Sequence, residues 1–203
     1  MELRESFRPI ALTSAESNRG EVSPPFFDDF NDGNADGWSP RGFGNWFVKN
    51  GEYVVDMGRG RGREGVSVAG DSEWTDYTFD VDITGERGVD KLIYVRYIDA
   101  SNHYIVNLRG HPYNDVLLVK RQDGKQARLR GIPYKNDNNV RHHMKIVLHG
   151  VQILVSVDNV ELIDYIDEEI LLTHGKIGLG GYTGWCGIDK VRYDNVMVNV
   201  INP

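Results

Sequence analysis

An all-β fold, an antiparallel β-sandwich, is predicted by three observations. Short runs rich in Val, Ile, Tyr and Phe alternate apolar and polar residues with the period of a half-buried strand. Between them stand "KNGE", "QDGK", "LHGV", "VDNV" and "THGK", which supply the positive-φ positions that tight β-turns need. From Phe26 onward no segment holds a helical period for three turns.

Residues 1–25 are polar, lack a sustained period and end in "SPP", so they are predicted to be an arm or linker outside the core. Residues 26–203 form the predicted sandwich domain. Its strands begin with "WFVKN", "EYVVDM", "GVSVAG", "DYTFDVDIT" and "KLIYVRYID". They continue through "HYIVNLRG", "DVLLVKR", "QARLRGI", "RHHMKIVLHG" and "VQILVSVD", and close with "VELIDYI", "GKIGLGGY" and "DKVRYDNVMVNV". The segment "DEEILL" is expected to make a single helical turn. Alternation assigns faces: Phe79, Val81 and Ile83 point inward while Thr78, Asp80 and Asp82 point out. Met144, Ile146 and Leu148 share one side of their strand, as do Val151, Ile153, Val155 and Val157 of the next.

With 23 basic and 30 acidic side chains the net charge is −7, which argues against nonspecific nucleic-acid binding. Cys186 is the sole cysteine, so the chain makes no internal disulfide. The first twenty residues contain no apolar stretch of signal-peptide length, and no later segment is long and apolar enough to span a bilayer as a helix.

The order of features resembles a known superfamily. An acidic "FFDDF" start is followed by "WFVKNGEYVV", "WTDYTFDVDI", "VRYIDASNHYIV", "MKIVLHGVQILVSVD", "GKIGLGGY" and "RYDNVMV". This pattern is similar to the concanavalin A-like lectin/glucanase superfamily, in particular the laminin-G-like jelly rolls of carbohydrate-binding modules. The resemblance implies a jelly roll and a polysaccharide or glycan partner, at the cell surface or outside the cell. It also implies a structural calcium held by Asp29, the carbonyl of Gly51 and Asp194. A hard cation suits such oxygen donors and would staple distant segments. The alternative is that Asp29 and Asp194 hydrogen-bond turn amides.

The stretch "DDFNDGNADGW" matches the first half of an EF-hand loop, with Asp32, Asn34 and Asp36 at alternate positions. An EF-hand requires a glutamate at the twelfth position and a helix on either side; here that position is Phe43 and neither flank is helical. Ordinary turn chemistry is the expectation.

Catalytic signals are weak. The acids do not repeat the E-x-D-x-x-E spacing of laminarinase-type relatives, and the histidines do not form a zinc motif. Jelly-roll lyases use Tyr, His and Arg, and Tyr104, His103 and Arg109 offer those side chains without the family motifs. Binding is better supplied. Trp185, in the Gly-rich "GGYTGWCG", and Tyr182 offer rings for stacking on sugars. Alternation puts Tyr94 with Arg96 on one strand face and Asn107 with Arg109 on another. On a concave sheet these would form a polar, aromatic floor; cross-strand pairing on a solvated sheet is the alternative. Trp38, Trp46 and Trp74 are expected to pack. "GRGRGREG" is expected to be a basic loop.

Non-catalytic carbohydrate binding is therefore the leading expectation. A structural or assembly protein of virion-decoration or surface-layer type, using residues 1–25 for self-association or a partner, comes second, and a glycoside hydrolase or polysaccharide lyase third.

Overall fold

Alternating apolar residues and glycine-containing turns close the chain into two antiparallel sheets. The structure, a computed structural model, describes residues 25–169 and 172–201. The strands are β1 (Phe26–Asp28), β2 (Ser39–Gly42), β3 (Asn45–Lys49), β4 (Glu52–Arg59) and β5 (Glu64–Ala69). Next come β6 (Tyr77–Arg87), β7 (Asp90–Asp99), β8 (Asn102–Arg109), β9 (Asp115–Gln122) and β10 (Lys125–Pro133). The last five are β11 (Arg141–His149), β12 (Gln152–Val157), β13 (Val160–Ile166), β14 (Lys176–Tyr182) and β15 (Ile188–Val200). No helix occurs among the described residues. The expected arm lies outside them except for Pro25. Of the expected helical turn, Glu168 and Glu169 form a bend, and residues 170 and 171 lie outside the described part.

The eight-stranded sheet runs β13-β12-β11-β6-β15-β4-β3, with β1 also paired to β15. The seven-stranded sheet runs β10-β9-β8-β7-β14-β5-β2. The core lies between them. Phe79, Val81, Ile83, Met144, Ile146, Leu148, Ile153, Val155 and Val157 come from the first sheet. Ile93, Val95, Val106, Leu108, Val116, Leu118, Ile177 and Leu179 meet them from the second. Each such buried side chain stabilises the fold by about 1.5–3 kcal/mol. Trp38 is buried, and Trp46 and Trp74 pack against this core, as expected.

Two strands have no signal in the hydrophobic pattern. β1 is three residues long, and all four residues of β2, "SPRG", are exposed. A proline is tolerated there because β2 lies at a sheet edge.

The expected pairing of Tyr94 and Arg96 on one face is corrected by the structure. The ladder to β8 shifts register between Val95 and Asp99, and Arg96 adopts φ 45°. The bulge turns Arg96 away from Tyr94. The Arg96 side chain is buried and donates to the carbonyls of Thr75 (3.0 Å), Leu172 (3.2 Å) and Gly150 (2.8 Å). Its backbone N–H donates to the Tyr77 hydroxyl at 2.8 Å. Arg96 thus ties three loops together.

The glycines of β14 have a steric reason. Tyr94 lies over Gly178 and Gly180, and a β-carbon on Gly180 would stand 2.6 Å from the Tyr94 ring and 2.7 Å from the Gly65 carbonyl. Gly180→Ala is therefore expected to cost about 1–3 kcal/mol through overpacking. In a thermal melt that is a fall of several degrees, at about 2–4 °C per kcal/mol for a chain of this size. An unchanged melt would show that Tyr94 moves freely.

Candidate functional site

Alternation on six adjacent strands builds a groove on the outer face of the seven-stranded sheet. Across the ladders Glu64 of β5 faces Tyr182 of β14, Tyr182 faces Asp90 of β7, and Arg109 of β8 faces Asp115 of β9. One step along, Leu92 faces Asn107 and Asn107 faces Leu117; a further step sets Tyr94 against Ile105 and Ile105 against Val119. The aliphatic residues form a second apolar cluster with Val66, Val68, Tyr94 and Tyr97, separated from the main core by the sheet. Over it lies a cavity of about 220 Å³. Leu92, Ile105, Leu117 and Val119 make its floor, and Glu64, Arg121, Gln126, Asp90, Asn107, Arg109 and Tyr182 make its walls.

Paired polar groups stand at both ends. Arg121 forks onto Glu64 through two bonds, 3.0 and 2.9 Å, which raise the guanidinium further above its ordinary range. The Tyr94 hydroxyl donates to the same carboxylate at 3.1 Å, and burial beside that negative charge holds the phenol protonated. At the other end Arg109 forks onto Asp115 at 2.7 and 2.5 Å, with its guanidinium 4.2 Å above the Tyr113 ring. Asn107 donates to Asp90 at 2.7 Å and accepts the Lys91 backbone N–H at 3.1 Å. Burial pushes the Asp90 carboxyl above the usual range despite that bond. Behind the wall, fully buried Asp189 accepts the Tyr182 N–H at 3.0 Å, and burial raises its carboxyl well above the ordinary value. His103 stacks on Tyr97 at 5.2 Å, its Nδ1–H donating to the Asp99 carbonyl (2.8 Å), and burial lowers its pKa.

An apolar floor with forked polar groups at its ends can seat one face of a sugar ring and hydrogen-bond its hydroxyls. Of the expected binding residues, Tyr182, Asn107 and Arg109 come together on the cavity wall, and Tyr94 lies beneath Glu64. Arg96 does not join them. Trp185 is 60% exposed on the loop that follows Tyr182, beside the cavity and not lining it. The Tyr104, His103 and Arg109 set does not form, since Tyr104 points into the core to Asp167.

Four wall residues, Glu64, Asp90, Arg121 and Gln126, were not foreseen; the first three carry a signal. Their signal is period-two continuation of an apolar face: Val68 and Val66 lead to Glu64, Leu117 and Val119 to Arg121, and Tyr94 and Leu92 to Asp90. Glu64 was obscured by the arginine-glycine run before it, and Arg121 by its place at a strand end.

The expected calcium donors lie toward one end of the eight-stranded sheet. Asp28 faces Val196, which brings Asp29 beside Asn195, and Gly51 sits in the turn joining β3 to β4. Arg141 stands among the carboxylates there. Its guanidinium is ion-paired with Asp194, and lies 3.4 Å from Glu52 and 3.7 Å from Asp82. Asp29 accepts the Asn31 N–H at 3.1 Å, and its bonds to Asn31 lower its pKa. Among the described residues no group of three or more His, Cys, Asp or Glu side chains could hold a metal ion. The EF-hand-like stretch is turn chemistry: Asp32 accepts the Asn34 N–H at 3.1 Å and Asn34 accepts that of Asp36 at 2.8 Å.

The folding pattern is the concanavalin A-like jelly roll. The carbohydrate-binding module CBM66 from Bacillus subtilis superposes with a TM-score of 0.68 at 22% identity, over 82% of this chain and 97% of that one. The exoplasmic/lumenal domain of VIP36, in a Ca2+/Man3GlcNAc-bound form, superposes at 0.64 with 12% identity, over 87% of this chain and 89% of that one. An extracellular exo-alpha-L-arabinofuranosidase from Streptomyces chartreusis is 25% identical over 143 residues, 70% of this chain. That match spans only 17% of the arabinofuranosidase. No helix among the described residues is long and apolar enough to cross a membrane. The groove thus sits on a scaffold shared with sugar-binding proteins, and a single sequence profile covers nearly all of it, residues 25–199. By that match the chain belongs to the 3-keto-alpha-glucoside-1,2-lyase-like domain family.

Proposed function

We propose that the protein binds a carbohydrate in the groove of the seven-stranded sheet. The observation that carries this reading is the apolar floor lying between two forked ion pairs, Arg121 with Glu64 and Arg109 with Asp115. Tyr182, Asn107, Arg109, Asp90 and Arg121 are the proposed contacts, with Tyr94 supporting Glu64 from below. The fold neighbours that bind sugars support this assignment, and the extracellular Streptomyces relative supports a location outside the cell. A glycan array tests it: selective retention of one saccharide class is expected, and uniform absence of retention overturns the reading.

A second reading has a specific observation behind it, the raised carboxyl of Asp90 on the groove wall of a chain in a lyase-like family. A ketone at C3 of a glucoside acidifies the C2 proton. Asp90 would accept that proton, the C–H electrons would form a C1–C2 double bond, and the C1–O bond would break as the protonated Asp90 returns the proton to the departing oxygen. The product is a conjugated enone and absorbs in the ultraviolet. Growth of that absorbance with a 3-keto-glucoside, and its loss in Asp90→Asn, is the expected result; no absorbance with wild type would leave binding alone.

Structural calcium enters only as a subordinate proposal, through Asp29, Gly51 and Asp194. Arg141 would share Asp194 with the ion, and a chelator is expected to lower the melting temperature by several degrees. A calcium ion present at 100 times its dissociation constant would contribute about 2.7 kcal/mol. An unchanged melting temperature in chelator would overturn the calcium assignment.

A further inference from the structure

Resting on the glycan reading, we infer that the rim beside the groove is a second subsite that takes an acidic sugar residue, carboxylated or sulfated. It is built from Trp185 and the arginines Arg59 and Arg61. Two loops that cross between the sheets are laced together here. Gly60 N–H donates to the Gly187 carbonyl at 2.9 Å, Gly62 N–H to that of Gly184 at 3.1 Å, and Thr183 N–H to that of Arg63 at 3.0 Å. The Thr183 hydroxyl accepts the Arg63 N–H at 2.9 Å. The Arg61 stem lies against Gly187, its Cγ 3.3 Å from where a β-carbon would stand.

The lacing joins into one ledge the backbone segments that carry the exposed residues Trp185, Arg59 and Arg61. The ledge continues into the groove, because Tyr182 both lines the cavity and begins the Trp185 loop. A β-carbon at Gly184 would lie 3.3 Å from the Asp90 carboxylate.

Charge decides the ligand class. In this acidic chain Arg87, Arg109, Arg121, Arg141 and Arg192 each hold a carboxylate. Among the described residues Arg59 and Arg61 hold none, and their neighbour Asp56 is occupied by Arg87 at 2.9 Å. Unpaired, forked cations on a loop laced to the one that carries a flat ring suit a sugar with an anionic group on an otherwise stackable ring.

The test is calorimetric titration with three matched oligosaccharides: one containing glucuronate, its carboxyl-reduced neutral counterpart, and a sulfated form of that counterpart. Wild type is expected to bind at least one acidic form at least tenfold more tightly than the neutral form in low salt. That advantage should vanish in 500 mM salt. In the Arg59→Gln/Arg61→Gln variant the advantage should vanish while neutral binding and the melting temperature stay unchanged. Trp185→Ala should weaken every form at least fivefold. Which acidic form gains identifies the anion. Equal affinity for all three forms, or an advantage that survives the double substitution, overturns the subsite and leaves the groove reading intact. Loss of all binding in wild type overturns the groove reading and this one with it.

Discussion

Arg121→Ala is expected to weaken glycan binding by at least about thirtyfold. Arg121 reaches from β9 across the sheet to Glu64 on β5 and closes one end of the cavity with two bonds. Removing it takes away a forked donor and leaves Glu64 as an uncompensated charge where the sugar must sit. Truncating one member of a hydrogen-bonded charge pair at a binding surface costs about 2–5 kcal/mol, and each 1.4 kcal/mol is about tenfold in affinity. Arg121→Lys should recover only part of the loss, since an ammonium keeps the charge and not the planar fork. Titration calorimetry with the saccharide best retained on the array gives the ratio, and a melt confirms folding. Wild-type affinity in the alanine variant would exclude this end of the groove from recognition.

Asp167→Ala should be the most destabilising of the substitutions considered. Alternation on β9 turns Lys120 into the interior, where its ammonium meets Asp167 at 2.7 Å with both side chains nearly inaccessible. The Tyr104 hydroxyl donates to the same carboxylate. Burial alone would raise the Asp167 carboxyl, but the bonds from Lys120 and Tyr104 outweigh it and hold the pKa below the ordinary value. Without Asp167 the lysine is a buried charge with no counter-charge, a change that costs about 3–5 kcal/mol. For a chain of this length that corresponds to a fall in melting temperature of roughly 10 °C. The sign with pH follows from the lowered pKa. The contribution is fully present above the unfolded-state value of about 4 and is lost as pH falls through the lower folded-state value. The alanine variant should therefore show a weaker dependence of stability on pH in that acid window. Replacing Lys120 by Met together with Asp167 by Leu should recover most of the loss; no recovery would place the cost in Tyr104 instead.

The sheets were legible from residue order because period-two alternation carries most of the information about them. β6, β11 and β12 bury the side chains that the pattern assigns inward, and Asn107 and Arg109 share their face with Ile105. Alternation fails where the backbone leaves its period, and Arg96 shows why. One bulge at positive φ reverses the face of every residue that follows, and no local composition announces it. The Arg121–Glu64 pair was hidden for a different reason. Its members lie 57 residues apart, and only the strand order brings β5 and β9 onto one face. β2 was missed because an edge strand exposed on both faces has no apolar side to reveal it.

The arginine among the carboxylates at the end of the eight-stranded sheet has a consequence for where the protein can operate. A bound ion is shared with the surroundings, and its occupancy follows supply. Arg141 belongs to the chain and cannot be diluted away, so Asp194, Asp82 and Glu52 keep their cation in media stripped of divalent metals. The trade is one of sensitivity. Because the Arg141 side chain is about half exposed, the contact answers to ionic strength where a metal site would answer to chelators.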